Sequence, residues 1–376
     1  MTKKRADNTL MRTINRSLIL RHLRTADGLS RADLAGRTGL MRSTVSSLVD
    51  ELLAENVIHE TGIAPSRGGR RGTLLDLNPA GGCAIGVEIT SQAVLVLLAD
   101  FVAQPRWQQT ITLADHDPAV VIPQTEQLIT EALRFNAAHD TMNPLGIGVG
   151  IAGLVDTVDG TLKVAANLGW RDIPFKTLWE RQFRLPVHVG NEASIAAQGE
   201  HYLGAAMGYT DFVYLHISRT AIGAGIFING ELYQGMGGYA GEVGHMVIDP
   251  AGERCSCGKR GCWEVQLRAA LKTVTGSLEQ IKKQPNHPRM LPVITVLATG
   301  IANLINIFNP QLIVLGGPLG VALAPFLATI QNTTADQITV PGDSMAEIVV
   351  SQIEAKACVM GAVALILDDV LRQQAW

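Results

Sequence analysis

The sequence predicts an α/β body that carries a small, basic, helix-rich head. Three observations carry this. From position 83 to 371, apolar runs of strand length alternate with longer stretches of helical period. The first 55 positions instead hold three helical patterns interrupted by a glycine turn. The charge divides the same way: residues 1–72 hold 13 Lys and Arg against 7 acids and the remainder 18 against 27, so a net −3 hides a head of +6 on a body of −9. That division points to nucleic acid at one end and a different ligand at the other. The chain has 376 residues, which suits two or three domains, and its 47 % hydrophobic and 17 % charged content is that of a globular protein. No unbroken apolar run reaches the roughly 18 residues of a membrane helix. The charged, polar first nine residues do not form a signal peptide, so the cytoplasm is expected.

In the head, Leu10, Ile14, Leu18 and Leu23 keep helical spacing over Leu10–Thr25, with Arg12, Arg16, Arg21 and Arg24 between them. Ser30 reads as an N-cap and Asp33, three positions on, as its capping-box partner for a second helix over Arg31–Arg37. Gly39 makes the turn. A third helix over Ser43–Glu55 turns Val45, Leu48, Val49 and Leu52 inward. Such a trio is a helix-turn-helix, although a protein-interaction module of three helices has the same pattern. Arg42, Ser43, Thr44, Ser46 and Ser47 line the start of the third helix, the end that enters a major groove. Arg reads guanine edges there, and Ser or Thr reach bases or phosphates. Val57–Thr61 and Gly72–Leu77 read as a strand and its return, the wing of a winged helix-turn-helix domain placed at residues 1–78. Between them PSRGGRRG sets Arg67, Arg70 and Arg71 among glycines, suited to a narrow minor groove or to a flexible basic linker.

In the body, Cys83–Ile89, Ala93–Ala99, Leu145–Ile151, Val187–Val189, Asp211–Ile217, Ala224–Ile228, Gln311–Leu315 and Ile348–Ser351 read as strands. Gln124–His139, Glu192–Leu203, Val293–Phe308 and Lys356–Leu371 read as helices, and Asn229-Gly230 as a type I′ hairpin turn. The order strand, strand, helix, strand occurs twice, which implies two related lobes. The small lobe is placed at residues 79–190 and 356–376, and the large lobe at residues 191–355.

Cys255, Cys257 and Cys262 put three of the five cysteines within eight positions, and His245 lies just upstream. Three thiolates and an imidazole make a complete tetrahedral set for a structural Zn²⁺, with no open position for a substrate water. Gly258 and Gly261 let the loop bend. A disulfide with a spare thiol is the alternative, disfavoured where thiols stay reduced. Cys83 and Cys358 read as buried thiols. Glu242 precedes His245 by three positions and Glu264 follows Cys262 by two, so a metal loop would draw two carboxylates and an imidazole together. Those groups suit sugar hydroxyls; solvated surface glutamates are the alternative.

GYAGEVGHMVIDPAGERCSCGKRGCWE, with its E-x-G-H and C-x-C-G-x-x-G-C-x-E runs, resembles the signature of the ROK family of bacterial sugar repressors and sugar kinases. The resemblance extends over nearly the whole chain. It implies a two-lobed ribonuclease-H-like, actin-like body with a cleft between the lobes. It also implies that His245, Cys255, Cys257 and Cys262 hold zinc and that Glu242, His245 and Glu264 contact a sugar. VGNEASIAAQGE resembles the family's N-D-A-N-x-A-A-x-G-E, so Asn191 matches its sugar-binding Asn, and Glu192 stands where the kinases have their catalytic Asp. Gly153 in GVGIAGLVD and Asn167 in ANLGW sit where the family approaches the sugar. In ROK repressors a basic linker that contacts DNA stands at the position of Arg67, Arg70 and Arg71.

Two departures bear on catalysis. The family's D-x-G-G-T phosphate turn is here Glu88-Ile89-Thr90-Ser91-Gln92, and its G-T-G-x-G-x-G turn is Arg219-Thr220-Ala221-Ile222-Gly223-Ala224-Gly225. Side chains stand where the ATP phosphates would approach. The expectation is a DNA-binding repressor, a homodimer or a dimer of dimers, rather than an enzyme, with an ATP-dependent sugar kinase as the alternative. The Gly190-Asn191-Glu192-Ala193 run and the metal loop look more like those of the family's xylose repressors than of its hexose repressors. The expected effector is therefore a small aldose, xylose before glucose, and the expected DNA partner is a palindromic operator.

Overall fold

The computed structural model describes residues 2–64, 72–274, 290–339 and 345–373. The head opens with α1 (Thr2–Arg24), followed by β1 (Leu29–Ser30), α2 (Arg31–Thr38), α3 (Arg42–Ala54), β2 (Ile58–Ile63) and β3 (Thr73–Leu77). The capping box forms as expected: Ser30 Oγ accepts from the Asp33 N–H, and Asp33 Oδ2 accepts from the Ser30 N–H. Gly39 ends α2 at φ 71°, a left-handed conformation that suits glycine. Val45, Leu48, Val49 and Leu52 are buried on α3. The wing pair β2–β3 gains a third strand, β1, which two residues were too few to signal. The wing tip, with Arg67, Arg70 and Arg71, lies outside the described residues.

One face in the head differs from expectation. Leu10 and Ile14 are 60 % and 50 % exposed, and α1 instead buries Arg16, Ile19, Leu20 and Leu23. The reason lies on α3, which presents Glu51 and Glu55 to this side. Arg12 pairs with the first and Arg16 with the second.

The body continues with β4 (Cys83–Ile89), β5 (Ala93–Asp100), β6 (Pro105–Thr112), α4 (Pro118–His139), β7 (Pro144–Ile151), β8 (Leu154–Asp156), β9 (Thr161–Ala165), β10 (Trp170–Ile173), α5 (Phe175–Phe183), β11 (Val187–Asn191) and α6 (Glu192–Leu203). The second half holds β12 (Phe212–Ile217), β13 (Ile222–Ile228), β14 (Glu231–Leu232), α7 (Trp263–Leu271), α8 (Leu291–Phe308), β15 (Leu312–Gly316), α9 (Gly317–Ala322), α10 (Leu327–Ala335), β16 (Glu347–Val350) and α11 (Ala357–Gln373). Two five-stranded sheets have the same order, β6-β5-β4-β7-β11 and β14-β13-β12-β15-β16. In each, the first three strands in the chain are antiparallel and the last two run parallel to the first. That is the duplicated ribonuclease-H-like lobe. Asn229 and Gly230 both have positive φ, 55° and 77°, as a type I′ turn requires.

The unforeseen elements carry weak signals, each for its own reason. β6 is an edge strand whose side chains are mostly exposed, so it lacks an apolar run. The small β8–β9–β10 sheet uses strands of three to five residues. α4 starts at Pro118, capped by Asp117, and takes Pro123 into its body, whereas a proline before Gln124 reads as a helix start. α8 starts two residues before the expected Val293. Its 18 residues have mean hydropathy 1.9, enough by composition to span a bilayer, but Thr, Gly and Asn break the run. Half of the helix is buried, and Val293, Leu297, Ile301, Leu304 and Ile305 join Val213, Leu215, Ile313 and Leu315 in the core of the second lobe.

Candidate functional site

The loop between β14 and α7 is folded on itself by bridges between Val247 and Cys262 and between Arg254 and Arg260. Gly261 makes this possible: its φ is 68°, and a Cβ there would stand 1.5 Å from the Asp249 carbonyl oxygen. The fold brings Cys255 and Cys262 into buried positions, with Cys257 exposed at the rim. One ligand atom from each of His245, Cys255, Cys257 and Cys262 lies within 4.8 Å of every other. Cys257 Sγ is 3.6 Å from Cys262 Sγ, and Cys255 Sγ is 3.6 Å from His245 Nδ1. The edges of a tetrahedral zinc site with Zn–S about 2.3 Å and Zn–N about 2.0 Å span about 3.5 Å (S to N) and about 3.8 Å (S to S), so both separations fit. All five cysteines are free, and 3.6 Å is far beyond a disulfide bond.

Burial pushes the Cys262 thiol up to about 12 and raises that of Cys255, while the backbone N–H of Lys259 lowers that of Cys257. Buried thiols of this kind ionise readily only beside a cation. His245 turns Nδ1 to the cysteines and Nε2 to Glu242, 3.9 Å from its carboxylate. Glu264, on the first turn of α7, sits 3.5 Å from His245 Nδ1 and accepts from the Cys255 thiol at 3.2 Å. Burial raises the pKa of Glu242. The fold thus brings Glu242, His245 and Glu264 together with the cysteines.

Elsewhere in the body, β11 runs straight into α6. Asn191 caps the helix, accepting from the Ala193 N–H at 2.9 Å, and its Nδ2 donates to the Gly153 carbonyl at 2.9 Å. Gly153 also admits β9, since a Cβ there would meet the Val164 carbonyl at 2.6 Å. Glu192 opens α6 and lies 3.4 Å from His216 Nε2 on β12. Beside it, burial and the Glu192 carboxylate push Glu88 up to about 8, so Glu88 holds its proton at neutral pH. Neither His216 nor Glu88 was assigned a role from the sequence. The signal for Glu88 was an acid inside the otherwise apolar run CAIGVEI. Asn167 stands apart, on the exposed turn between β9 and β10, and its side chain makes no hydrogen bond among the described residues. A cavity of about 90 Å³ adjoins Asn191, lined by Ser194 and Gln198 of α6 and by Thr157 and Gln234. Thr157 donates to Gln234 at 3.1 Å, linking the β8 hairpin to the loop after β14.

The two turns that stand in place of the family's phosphate turns are closed by their own side chains. Thr90 Oγ1 accepts from the N–H groups of Gln92 and Ala93 at 3.2 and 3.1 Å. Ser218 Oγ accepts from those of Thr220 and Ala221 at 3.3 and 3.0 Å. In each turn two backbone N–H groups are thus taken by the chain's own hydroxyl.

In the head, Arg42, Ser43 and Ser47 are exposed at the start of α3, with Thr44 and Ser46 half-buried. Met41, at the N-cap position, provides no side-chain hydrogen bond, which leaves the first N–H groups of the helix facing outward. Ser47 donates to Glu51 at 3.2 Å, and Arg31 braces the helix through the Ser46 carbonyl and Asp50.

A family model described as ROK family matches residues 85–369, and one described as winged helix-turn-helix DNA-binding matches residues 12–59. The chain is 31 % identical to the xylose repressor of Bacillus spizizenii, covering 97 % of this chain and 98 % of that one. A glucokinase of Halalkalibacterium halodurans is 34 % identical over 54 % of this chain and 71 % of its own length. Among solved structures, one described as a ROK family transcriptional regulator, homolog of the E. coli MLC protein, superposes with TM-score 0.79 at 24 % identity, covering 96 % of this chain and 98 % of that one.

Proposed function

The chain belongs to the ROK family, and we propose that it is a DNA-binding repressor of sugar-utilisation genes, released when a small aldose enters the cleft between its lobes. The observation that carries this is the pairing of a winged head with phosphate turns whose N–H groups are already taken by Thr90 and Ser218. A sugar can still meet Asn191, Glu192, Glu242, His245 and Glu264, with Gly153 and Asn167 at the margin, while ATP has no cradle. Glu192 also carries one methylene more than an aspartate would, displacing its carboxylate by about 1.5 Å, and a misplacement of that order costs a catalytic base roughly 10²-fold.

His245, Cys255, Cys257 and Cys262 hold Zn²⁺ as a structural ion in this reading. It keeps the His245 imidazole, and with it Glu242 and Glu264, in position for the sugar. Arg42, Ser43, Thr44, Ser46 and Ser47 face the major groove, and Arg67, Arg70 and Arg71 follow the minor groove. A homodimer sets two such heads one helical turn apart, about 34–36 Å, on a palindromic operator in the cytoplasm. Sugar shifts this arrangement by its differential affinity for the two states of the protein.

Xylose is the favoured effector. The longer Glu192 side chain takes up cleft volume, and a pentose lacks the hexose CH₂OH. One carbon in a pocket is worth only about 1–3 kcal/mol, so glucose competes. Calorimetric titration with xylose, glucose and N-acetylglucosamine tests the reading, with xylose expected to bind tightest. Tighter glucose binding rejects the pentose assignment, and binding of no sugar rejects the sensor.

A further inference from the structure

Helix α6 has candidate sugar contacts at one end and the DNA-binding head at the other. Asn191 caps it and Glu192 opens it, and its 12 residues span about 18 Å. In the last turn Tyr202, 3 % exposed, lies with its ring centroid 4.1 Å from Arg24 Cζ of α1. Arg24 Nε and Nη1 are buried without a hydrogen-bond partner, and the guanidinium stacks on the ring face.

The helix is held too tightly to absorb a displacement. A Cβ on Gly361 would stand 1.8 Å from the Ile195 carbonyl oxygen, and one on Gly199 would stand 2.5 Å from that of Ala357, so α6 and α11 touch backbone to backbone. Elements packed at this density move together. At the same end Ser17 of α1 donates to the Leu371 carbonyl of α11 at 2.8 Å. One apolar core runs from Ile19, Leu20 and Leu23 of the head to Tyr202, Val363 and Leu371 of the body. From α1, the pairs Arg12–Glu51 and Arg16–Glu55 reach α3.

We infer that Arg24 and Tyr202 are a positioning pair that passes sugar occupancy from the cleft, along α6, to the recognition helix. The inference rests on the sugar-sensing reading above. A shift of Asn191 and Glu192 as the second lobe closes on the sugar arrives at Tyr202, tilts α1 through Arg24, and carries α3 with it. Coupling of this kind runs through contiguous packed groups.

The test uses the full-length protein, operator DNA, and xylose or glucose, whichever binds. Sugar affinity is measured by calorimetry, and operator affinity by fluorescence anisotropy with and without saturating sugar. The ratio of the two operator affinities is the coupling, which ordinarily lies near 5–150-fold. Tyr202→Leu and Arg24→Met should each bring the ratio to within about 2-fold of unity while sugar affinity and sugar-free operator affinity stay within about 3-fold. Tyr202→Phe, which keeps the ring face, should restore the ratio. An undiminished ratio in Tyr202→Leu or Arg24→Met overturns the inference. So does a parallel loss of both affinities with the melting temperature in both variants, which marks a packing role. A wild-type protein that binds sugar but whose operator affinity no sugar moves fails the sensor reading itself, and the pair falls with it.

Discussion

Cys257 is the exposed member of the cysteine cluster, and Cys262 is the one that burial makes most costly to ionise. Replacing either by Ser should remove one corner of the tetrahedron, and with it both the metal and the response to sugar, since Glu242 and Glu264 lose the anchored imidazole between them. Elemental analysis of protein purified without chelator is expected to find zinc in the wild type and little in either variant; a zinc-free wild type contradicts the assignment. Glu88 offers a second test. Its pKa is raised from an ordinary 4.5 to about 8, so the folded protein prefers the protonated carboxyl. That advantage is whole below the ordinary value and is lost as pH rises through about 8. Its size is of the order of a few kcal/mol. Thermal melts from pH 5 to 9 should show the wild type falling relative to Glu88→Gln; parallel curves refute the shift. Cysteine spacing announced the His and Cys cluster because its members are close in the chain. Glu88 and His216 escaped because their meaning comes from Glu192, which reaches them only across the fold.

At the scale of elements, local signals were reliable where they sat on one turn. The Ser30–Asp33 box, the Gly39 stop and the Asn229-Gly230 hairpin all formed as expected. Ser30→Ala should therefore cost about 1 kcal/mol in urea unfolding, and an unchanged midpoint denies the cap its role. On the recognition helix, Arg42→Ala or Ser46→Ala should alter which operator is preferred. Replacing Arg67, Arg70 and Arg71 together by Ala should instead weaken binding to every sequence. It should also flatten the salt dependence by roughly 0.9 per lost phosphate contact, and an unaltered slope rules them out as DNA contacts. The stripe Leu10, Ile14 misled because periodicity shows that a helix has an apolar side, not that a neighbour covers it. Edge strand β6 was invisible because exposure removes the apolar run that signals a strand.

For the whole molecule, the sharpest expectation is an absence of turnover. Protein incubated with sugar, ATP and Mg²⁺ should release no sugar-dependent ADP. A rate on the order of 1 s⁻¹ would restore Glu192 as a base and overturn the repressor reading. The reason is distributed over both lobes: Thr90 closes one phosphate turn and Ser218 the other.

The sequence by itself determined the α/β class, the basic helix-turn-helix head, the close-set His245, Cys255, Cys257 and Cys262 and the family resemblance, because each rests on spacing within a few turns of chain or on charge that can be counted. Tertiary structure decided the rest. It set Glu88 against Glu192, buried Arg16 and exposed Leu10, and packed Tyr202 of α6 on Arg24 of the head. Those outcomes depend on which surfaces meet, and residues far apart in the chain meet only once the two sheets and the helices between them have packed.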